Sequence, residues 1–236
     1  DKIMDSIKQQ EESGIVKNKL QNRVLNKFFN NKLALIGLVV FTFIVLATIF
    51  APLICRYHPG KIDVINALQP PSAKHILGTD KIGRDVFARI VYGGRISILV
   101  GLGSALGAAL IGVMIGCYAG YKGGWLDKIF MRISEIFMSF PQIILVLLLV
   151  SIVGQSLWNL LLIFIVTGWG SVYRLVRSQM LSIREEEYVQ ALRAFGLNDF
   201  IICYKHMLPN ALGPIMVNIT LSTAMFILQE TSLSFL

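Results

Sequence analysis

The sequence predicts an all-α, polytopic membrane protein with five transmembrane helices. Of its 236 residues 55% are hydrophobic, the mean hydropathy is +0.65, and only 15% are charged. Average soluble domains carry about 25% charged residues. Because an open sheet would leave backbone groups unpaired in lipid, each crossing is expected to be helical.

Four long runs lack Asp, Glu, Lys and Arg, and each can supply the roughly 20 residues that one helical crossing requires. The third run is nearly twice that length and is interrupted at Gly154, Gln155 and Ser156, which predicts two helices joined by a tight turn. The predicted crossings are 33–54, 96–120, 137–153, 157–173 and 211–230. The predicted organisation is an N-terminal arm 1–32, a first transmembrane helix 33–55, a loop 56–95 and a core transmembrane domain 96–236.

The basic residues predict a cytoplasmic N-terminus. With that orientation 15 of the 22 lie in cytoplasmic segments and seven lie in the loop 56–95, as the positive-inside rule favours. The loop 56–95 is then extracellular, and the polar segment 174–209 is cytoplasmic. The arm 1–32 is expected either to lie on the cytoplasmic surface as a helix or to be a solvated tail.

Small residues recur every four positions along the second predicted span. They are Ser104, Ala108, Gly112, Gly116 and Gly120. Such a face lets another helix approach closely. The partner is either a helix of this chain or a helix of a second membrane subunit.

Charged residues are nearly absent from the predicted spans, which argues against a proton-coupled carrier. The exception is Glu230, expected near the extracellular end either as an interfacial or gate-lining carboxylate or as a buried functional charge. We find no nucleotide-binding, hydrolase or metal-ligand motif. The chain is therefore predicted not to be an enzyme and to bind no cofactor or metal, so energy for transport must come from another polypeptide.

The segment 174–209 is predicted to be a helical hairpin. Glu185 to Glu187 place negative charge at a helix start, where the helix dipole favours it, and an apolar stripe follows until Gly196. Asn198 or Asp199 is expected to cap a second helix that ends at Pro209. Because an isolated short helix is marginal in water, the apolar stripe indicates a docking element for a partner.

This segment resembles the cytoplasmic signature of the permease subunits of ATP-binding-cassette importers: Glu-Ala-Ala, three residues, Gly, nine residues, Ile, one residue, Leu-Pro. Four positions match: Ala191, Gly196, Leu208 and Pro209. Three depart: Gln190, Leu192 and His206. The departures at 190 and 206 resemble the peptide branch of the family, which reads Tyr-Val-x-Ala before the glycine and His-x-Leu-Pro-Asn after it.

The resemblance extends over the chain from about residue 20 to its end. Further motifs similar to the C-type permease of dipeptide and oligopeptide importers are Leu77-Gly78-Thr79-Asp80, Gly83-Arg84-Asp85, Gly93-x-Arg95-x-Ser97, Ala119-Gly120-Tyr121-x-Gly123-Gly124, Asp127, Met131-Arg132, Pro141, Trp169 and Leu233-Ser234-Phe235-Leu236. The resemblance implies the importer-permease (MetI-like) fold. It also implies a sixth helix beyond Leu236, so that six helices are expected in the full-length subunit.

In that family the loop carries a coupling helix that docks in a groove of a cytoplasmic ATPase, implied here for Tyr188 to Leu197. The implied ATPase-coupling residues are Tyr188, Val189, Gln190, Ala191, Leu192, Phe195, Gly196, His206, Leu208 and Pro209. The alternative is a helix folded back on its own subunit. ATP and Mg are then expected on partner subunits and not on this chain.

The resemblance therefore implies the permease of an ATP-driven peptide importer in a prokaryotic cell membrane. Its expected partners are a homologous second permease, two cytoplasmic ATPases, an extracellular substrate-binding protein and membrane lipid, and nucleic acid is not expected. Three alternatives stay open: a permease for nickel or another small solute, a self-contained secondary carrier or channel, and a membrane-bound receptor or scaffold.

Overall fold

The computed structural model describes residues 29–234, and every named element in that range is a helix. In chain order the elements are α1 (Lys32–Ile49), α2 (Ala51–Ile54), a 3₁₀ turn (Val64–Asn66), α3 (Val86–Lys122), α4 (Gly124–Met138), α5 (Gln142–Val153), α6 (Leu157–Ile183), α7 (Glu187–Ala194), α8 (Asp199–Ile201), a π-helix (Ile202–Met207) and α9 (Leu208–Ser234). Within this range four helices are long and apolar enough to cross a membrane, or up to five with the bent pair α4 and α5. The predicted all-α membrane class is confirmed. The predictions for the arm 1–32 concern residues that lie almost entirely outside the described range.

α1 is apolar on all sides. Asn31 caps its start, because the side-chain Oδ1 accepts hydrogen bonds from the backbone N–H groups of Leu33 and Ala34 at 3.1 and 3.3 Å. Thr48 is the one residue of this helix that is buried within the described chain. A helix that is hydrophobic all round and exposes its side chains is typical of a membrane span in contact with lipid or another subunit.

Two spans extend beyond their predicted bounds. α3 starts at Val86 and not at 96, and α6 continues to Ile183 instead of ending at 173. The predicted spans were defined as runs without charged residues, whereas the helices also contain arginines that pair with an acidic residue. Arg89 pairs with Asp80 at 2.7 Å in this way.

The third predicted crossing, 137–153, is not one straight helix. α4 ends at Met138, α5 begins at Gln142 after Pro141, and the two helices are bent by 88°. α5 has 12 residues and therefore rises about 18 Å, less than the hydrocarbon thickness of about 30 Å. Proline at this position fits, because it lies before the first turn, where its missing N–H is not needed.

The chain divides into two compact units, one ending at Gly94 and one beginning at Arg95. In the first unit Gly78 and Gly83 form tight turns of the loop before α3, with φ of 75° and 78°. A Cβ atom at Gly83 would lie 1.7 Å from the carbonyl oxygen of Asp63. Only glycine fits this position, which explains why the loop motif requires it.

Asp80 organises the same loop. Its carboxylate accepts hydrogen bonds from the backbone N–H groups of Ile82 and Arg84 and from the side chains of Arg84 and Arg89. Desolvation acts to raise its pKa, but the hydrogen bonds from Arg84 and Ile82 and the charge of Arg84 lower the pKa of Asp80 to about 2. The carboxylate therefore stays charged at neutral pH and holds the loop at the start of α3.

In the second unit α6 occupies the centre and packs against α4, α5 and α9. One core cluster lies near the end of α6 that leads into the loop, around Val176, Met180 and Met207. Another lies nearer its start, where the rings of Phe164 and Phe226 stack 5.0 Å apart. The core thus follows α6 along its length.

The ladder of small residues in α3 faces α6. Ser104 donates a hydrogen bond from Oγ to the carbonyl oxygen of Leu161 at 3.3 Å, and Ala108 lies opposite Gly168. A Cβ atom added at Gly112 would lie 2.9 Å from the carbonyl oxygen of Trp169. Gly116 and Gly120 approach the backbone of Tyr173 and Arg177 equally closely. Of the two partners left open by the sequence, the structure places a helix of this chain against the ladder.

Gly112→Ala is expected to destabilise the subunit by about 1–3 kcal/mol, because the added methyl group meets the α6 backbone and overpacking of this kind costs that much. Gly93→Ala in the same helix is the matched control, since nothing lies within 4 Å of its added Cβ atom. Thermal unfolding in nanodiscs measures both variants. Equal stability of the two would contradict the close packing of α3 on α6.

Candidate functional site

The segment after α6 forms the predicted helical hairpin, with two corrections. The connection is shorter than 174–209, because residues up to Ile183 continue α6. Pro209 does not end the second helix: it is the second residue of α9, directly after the π-helix, and the helical path runs from Asp199 to Ser234. Asn198 and not Asp199 provides the cap, since Asn198 Oδ1 accepts a hydrogen bond from the backbone N–H of Phe200 at 2.8 Å.

α7 ends where the sequence predicts. Gly196 has a φ of 74°, in the left-handed region, and its N–H donates to the carbonyl oxygen of Arg193 at 2.9 Å. Glu187 lies in the first turn and Arg193 in the last, an arrangement that the helix dipole favours. This eight-residue helix is thereby defined at both ends.

The two faces of α7 differ. Val189 is fully buried and Leu192 packs beside it against the core cluster at the end of α6. On the other face Tyr188 and Ala191 are exposed, and Phe195 just beyond the helix is 81% exposed. The ten predicted coupling residues therefore separate into an anchoring set and an outward set. The outward surface (Tyr188, Ala191 and Phe195) is called the outer face below.

The remaining predicted residues occupy different environments. Gln190 is exposed and donates from Nε2 to the carbonyl oxygen of Glu185 at 3.2 Å. His206 lies half-buried in the π-helix, and its carbonyl oxygen accepts a hydrogen bond from Asn210 at 3.1 Å. Leu208 packs against the core and Pro209 is exposed.

A polar cluster joins the end of α7 to the end of α3. Arg193 donates from Nε to the Tyr121 hydroxyl oxygen at 2.9 Å, and its guanidinium lies 4.5 Å above the centre of the same ring. The Tyr121 hydroxyl donates to Asp199 Oδ1 at 3.2 Å, and Lys122 Nζ donates to Asp199 Oδ2 at 2.8 Å. These four residues are called the Tyr121 clamp. In the sequence Tyr121 stands out only as part of a motif, and no local pattern connects these four residues.

A second contact joins the start of α7 to α9. Asn210 donates from Nδ2 to the Tyr188 hydroxyl oxygen at 2.9 Å. α7 is therefore attached to α9 at one end and to α3 at the other. A displacement of this short helix would act on both spans.

A buried ion pair lies at the same end of the bundle. Asp127, in the first turn of α4, accepts hydrogen bonds from Nε and Nη2 of Arg177 on α6, the latter at 2.6 Å. The Tyr173 hydroxyl also donates to Asp127 Oδ1 at 2.9 Å. In the sequence Asp127 stands out only as a motif residue, because its partners lie about 50 positions away.

Glu230 lies near the far end of α9 and is 8% exposed. Ser97 donates to its Oε2 at 3.0 Å and Ser234 to its Oε1 at 3.1 Å. Leu208 and Glu230 are 22 positions apart in one helix, which corresponds to about 33 Å. Glu230 therefore lies at the opposite end of α9 from the contact with α7.

Residues 112–236 match the family described as the inner membrane component of binding-protein-dependent transport systems. The chain belongs to this family. Residues 21–71 match the N-terminal transmembrane domain of oligopeptide transport permease C. The all-helical fold of the described residues and the helical connection between α6 and α9 agree with this family assignment.

Curated relatives share most of the chain. A dipeptide transport system permease protein of Alkalihalophilus pseudofirmus is 43% identical over 206 residues, which cover 87% of this chain and 68% of that protein. An oligopeptide transport system permease protein of Bacillus subtilis is 40% identical over 210 residues, covering 89% and 69%. A probable D,D-dipeptide transport system permease protein of Escherichia coli is 37% identical over 198 residues, covering 84% and 66%.

Proposed function

We propose that this permease subunit carries peptides and that α7 couples it to cytoplasmic ATPases. The names of its relatives support a dipeptide or oligopeptide cargo. Tyr188, Val189 and His206, which follow the peptide branch of the signature, lie together in the connection between α6 and α9.

The observation that carries the coupling role is the division of α7 into two faces. A helix that only folds back on its own subunit gains no stability from an aromatic side chain that it leaves in solvent. Here Val189 anchors the helix while Phe195 remains 81% exposed. An exposed aromatic beside small residues is suited to a groove on a partner, because aromatic side chains dominate the energetics of such contacts.

The remaining assembly follows from this role. The subunit would pair with a homologous second permease and receive cargo from an extracellular binding protein, and two ATPases would bind ATP and Mg. A cytoplasmic position for α7 and for the N-terminus places 15 of the 22 basic residues on the cytoplasmic side, as the positive-inside rule favours. The complex would lie in the prokaryotic cell membrane.

The test is peptide-stimulated ATP hydrolysis by the complete complex with its binding protein in nanodiscs. Ala191→Glu places a charge on the outer face and is expected to lower stimulation about fivefold, the effect of roughly 1 kcal/mol. Gly196→Pro is expected to act more strongly, because proline cannot adopt a φ of 74° and lacks the N–H that Arg193 accepts. Gln190→Glu is the matched control: it adds the same charge one residue away and introduces the residue usual in the family.

Unchanged stimulation in Ala191→Glu and Gly196→Pro, with the subunit folded, would refute the coupling role of α7. Stimulation of the wild-type complex by Ni²⁺ but not by di- or oligopeptides would refute the peptide cargo while leaving the coupling role intact. The two parts of the proposal are therefore tested separately.

A further inference from the structure

A cleft of about 760 Å³ opens at the end of the bundle that carries Glu230. It lies between the α5–α6 turn and the end of α9. Its lining residues are Leu147, Val150, Ser151, Gly154, Gln155, Ser156, Leu157, Leu160, Glu230, Leu233 and Ser234. Its volume lies within the range of about 300–1,000 Å³ that is usual for small-ligand sites.

Glu230 is the only charged residue among the described residues that line this cleft. Within residues 29–234 its carboxylate makes no ion pair, and the groups that donate to it are the uncharged hydroxyls of Ser97 and Ser234. A carboxylate in an apolar membrane setting is costly unless a cation compensates it. Each of its oxygens retains capacity for a further hydrogen bond, because a carboxylate offers about four acceptor positions.

We propose that Glu230 binds the α-ammonium group of the peptide cargo as it enters the membrane subunit. This inference rests on the peptide cargo proposed above and adds the contact by which the permease recognises that cargo. An ammonium group supplies a compensating positive charge and donors for the acceptor positions that Ser97 and Ser234 leave open, and charge-assisted hydrogen bonds of this kind are strong.

The rest of the cleft suits the remainder of a peptide. Gln155 offers a donor and an acceptor for peptide amide groups, the Ser151 hydroxyl, which already donates to Leu148, offers an acceptor, and leucine side chains form the apolar walls. An apolar wall accepts many different side chains, because hydrophobic contact is non-directional. The cleft would therefore select the charged terminus that all unmodified peptides share rather than a particular sequence.

The two serines fix the carboxylate in place. Ser97 belongs to α3 and Ser234 to α9, so the carboxylate is held between two elements before the ligand arrives. Preorganisation of this kind reduces the cost of binding. Glu230→Gln keeps a side chain of the same shape and an oxygen that accepts from Ser97. It removes the negative charge and replaces the other oxygen with an NH₂ group, to which the Ser234 hydroxyl can act as acceptor.

The test is photo-crosslinking of a benzophenone-bearing tripeptide to the full permease and ATPase complex in nanodiscs, without the binding protein. The free-amine tripeptide is compared with its N-acetylated form. In the wild-type complex the free-amine tripeptide is expected to crosslink about tenfold more than the N-acetylated form. In Glu230→Gln the two tripeptides are expected to crosslink about equally. Glu187→Gln removes an exposed carboxylate on α7, at the other end of α9 from Glu230, and is expected to leave the preference unchanged.

A preference that persists in Glu230→Gln, or that is absent in the wild type, overturns the inference although peptides are carried. Failure of every peptide to label the complex, together with stimulation by Ni²⁺, refutes the peptide cargo itself. Loss of the second permease from purified Glu230→Gln complex would assign the carboxylate to a subunit contact and likewise overturn the inference. Competition by Na⁺ or K⁺ alone, equal for both tripeptides, would assign it to an inorganic cation.

Discussion

Asp127→Asn is expected to lower the free energy of unfolding of the transmembrane domain by about 3 kcal/mol. Breaking a buried ion pair by removing one partner costs roughly 3–5 kcal/mol, since the other charge is left without compensation. The lower end of that range is expected because the Arg177 side chain is 25% exposed and water can reach it. The change also weakens the contact with Tyr173. The free energy is measured by denaturant unfolding of the purified protein in mixed micelles.

The control is an ion pair on the same helix that lies in solvent. Arg132 and Glu135 are 2.9 Å apart, with side chains 82% and 42% exposed. Glu135→Gln is therefore expected to change stability by no more than about 1 kcal/mol. A matching loss in Asp127→Asn and Glu135→Gln would show that the Asp127 pair is not buried in the membrane-bound protein. The exchanged pair Asp127→Arg with Arg177→Asp is expected to recover part of the loss.

Tyr121→Phe is expected to separate ATP hydrolysis from transport. The change keeps the ring under Arg193 but removes the hydroxyl that bonds to Arg193 and Asp199. Hydrogen bonds to charged groups contribute about 1.5–3 kcal/mol each, so the attachment of α7 to α3 is weakened by more than a factor of ten. We expect the variant complex to hydrolyse ATP at close to the wild-type rate while peptide uptake into proteoliposomes falls more than tenfold.

Tyr118→Phe is the matched control, because Tyr118 lies on the same helix and its hydroxyl makes no hydrogen bond to any described residue. Its uptake is expected to equal that of the wild type. If uptake and hydrolysis fall together in Tyr121→Phe, the clamp supports folding and not coupling. If neither changes, α7 acts on the spans by another route.

The elements that the sequence predicts correctly are those determined by neighbouring residues. The apolar runs predict the spans, and Gly196 predicts the end of α7, because hydropathy and backbone conformation depend on adjacent residues. The predicted bounds of the spans were wrong where a charged residue is neutralised by a residue far away in the sequence. The predicted span ended at 173 because Arg174 and Arg177 follow, yet both lie within α6, where Asp127 neutralises Arg177 across about 50 positions.

The candidate site shows the same limit. Gly112 and its neighbours predict a close-packed face, but nothing in their spacing specifies α6 as the partner. Arg193, Asp199 and Lys122 each resemble an ordinary solvated charge in the sequence. They form one cluster around Tyr121 only after the end of α3 and the α7–α8 turn meet in the folded chain.

The π-helix Ile202–Met207 sets the direction in which α7 faces. A π turn accommodates one residue more than an α turn and leaves the regular helix on either side unchanged. Removing that extra residue would rotate everything before it by about 100° around the axis of α9. The outer face of α7 would then point away from the ATPase proposed to dock there, although every residue of the face would be the same. The orientation of α7, and with it the surface available for docking, thus depends on the length of a six-residue stretch that shares a core cluster with Val189 on the buried face of α7.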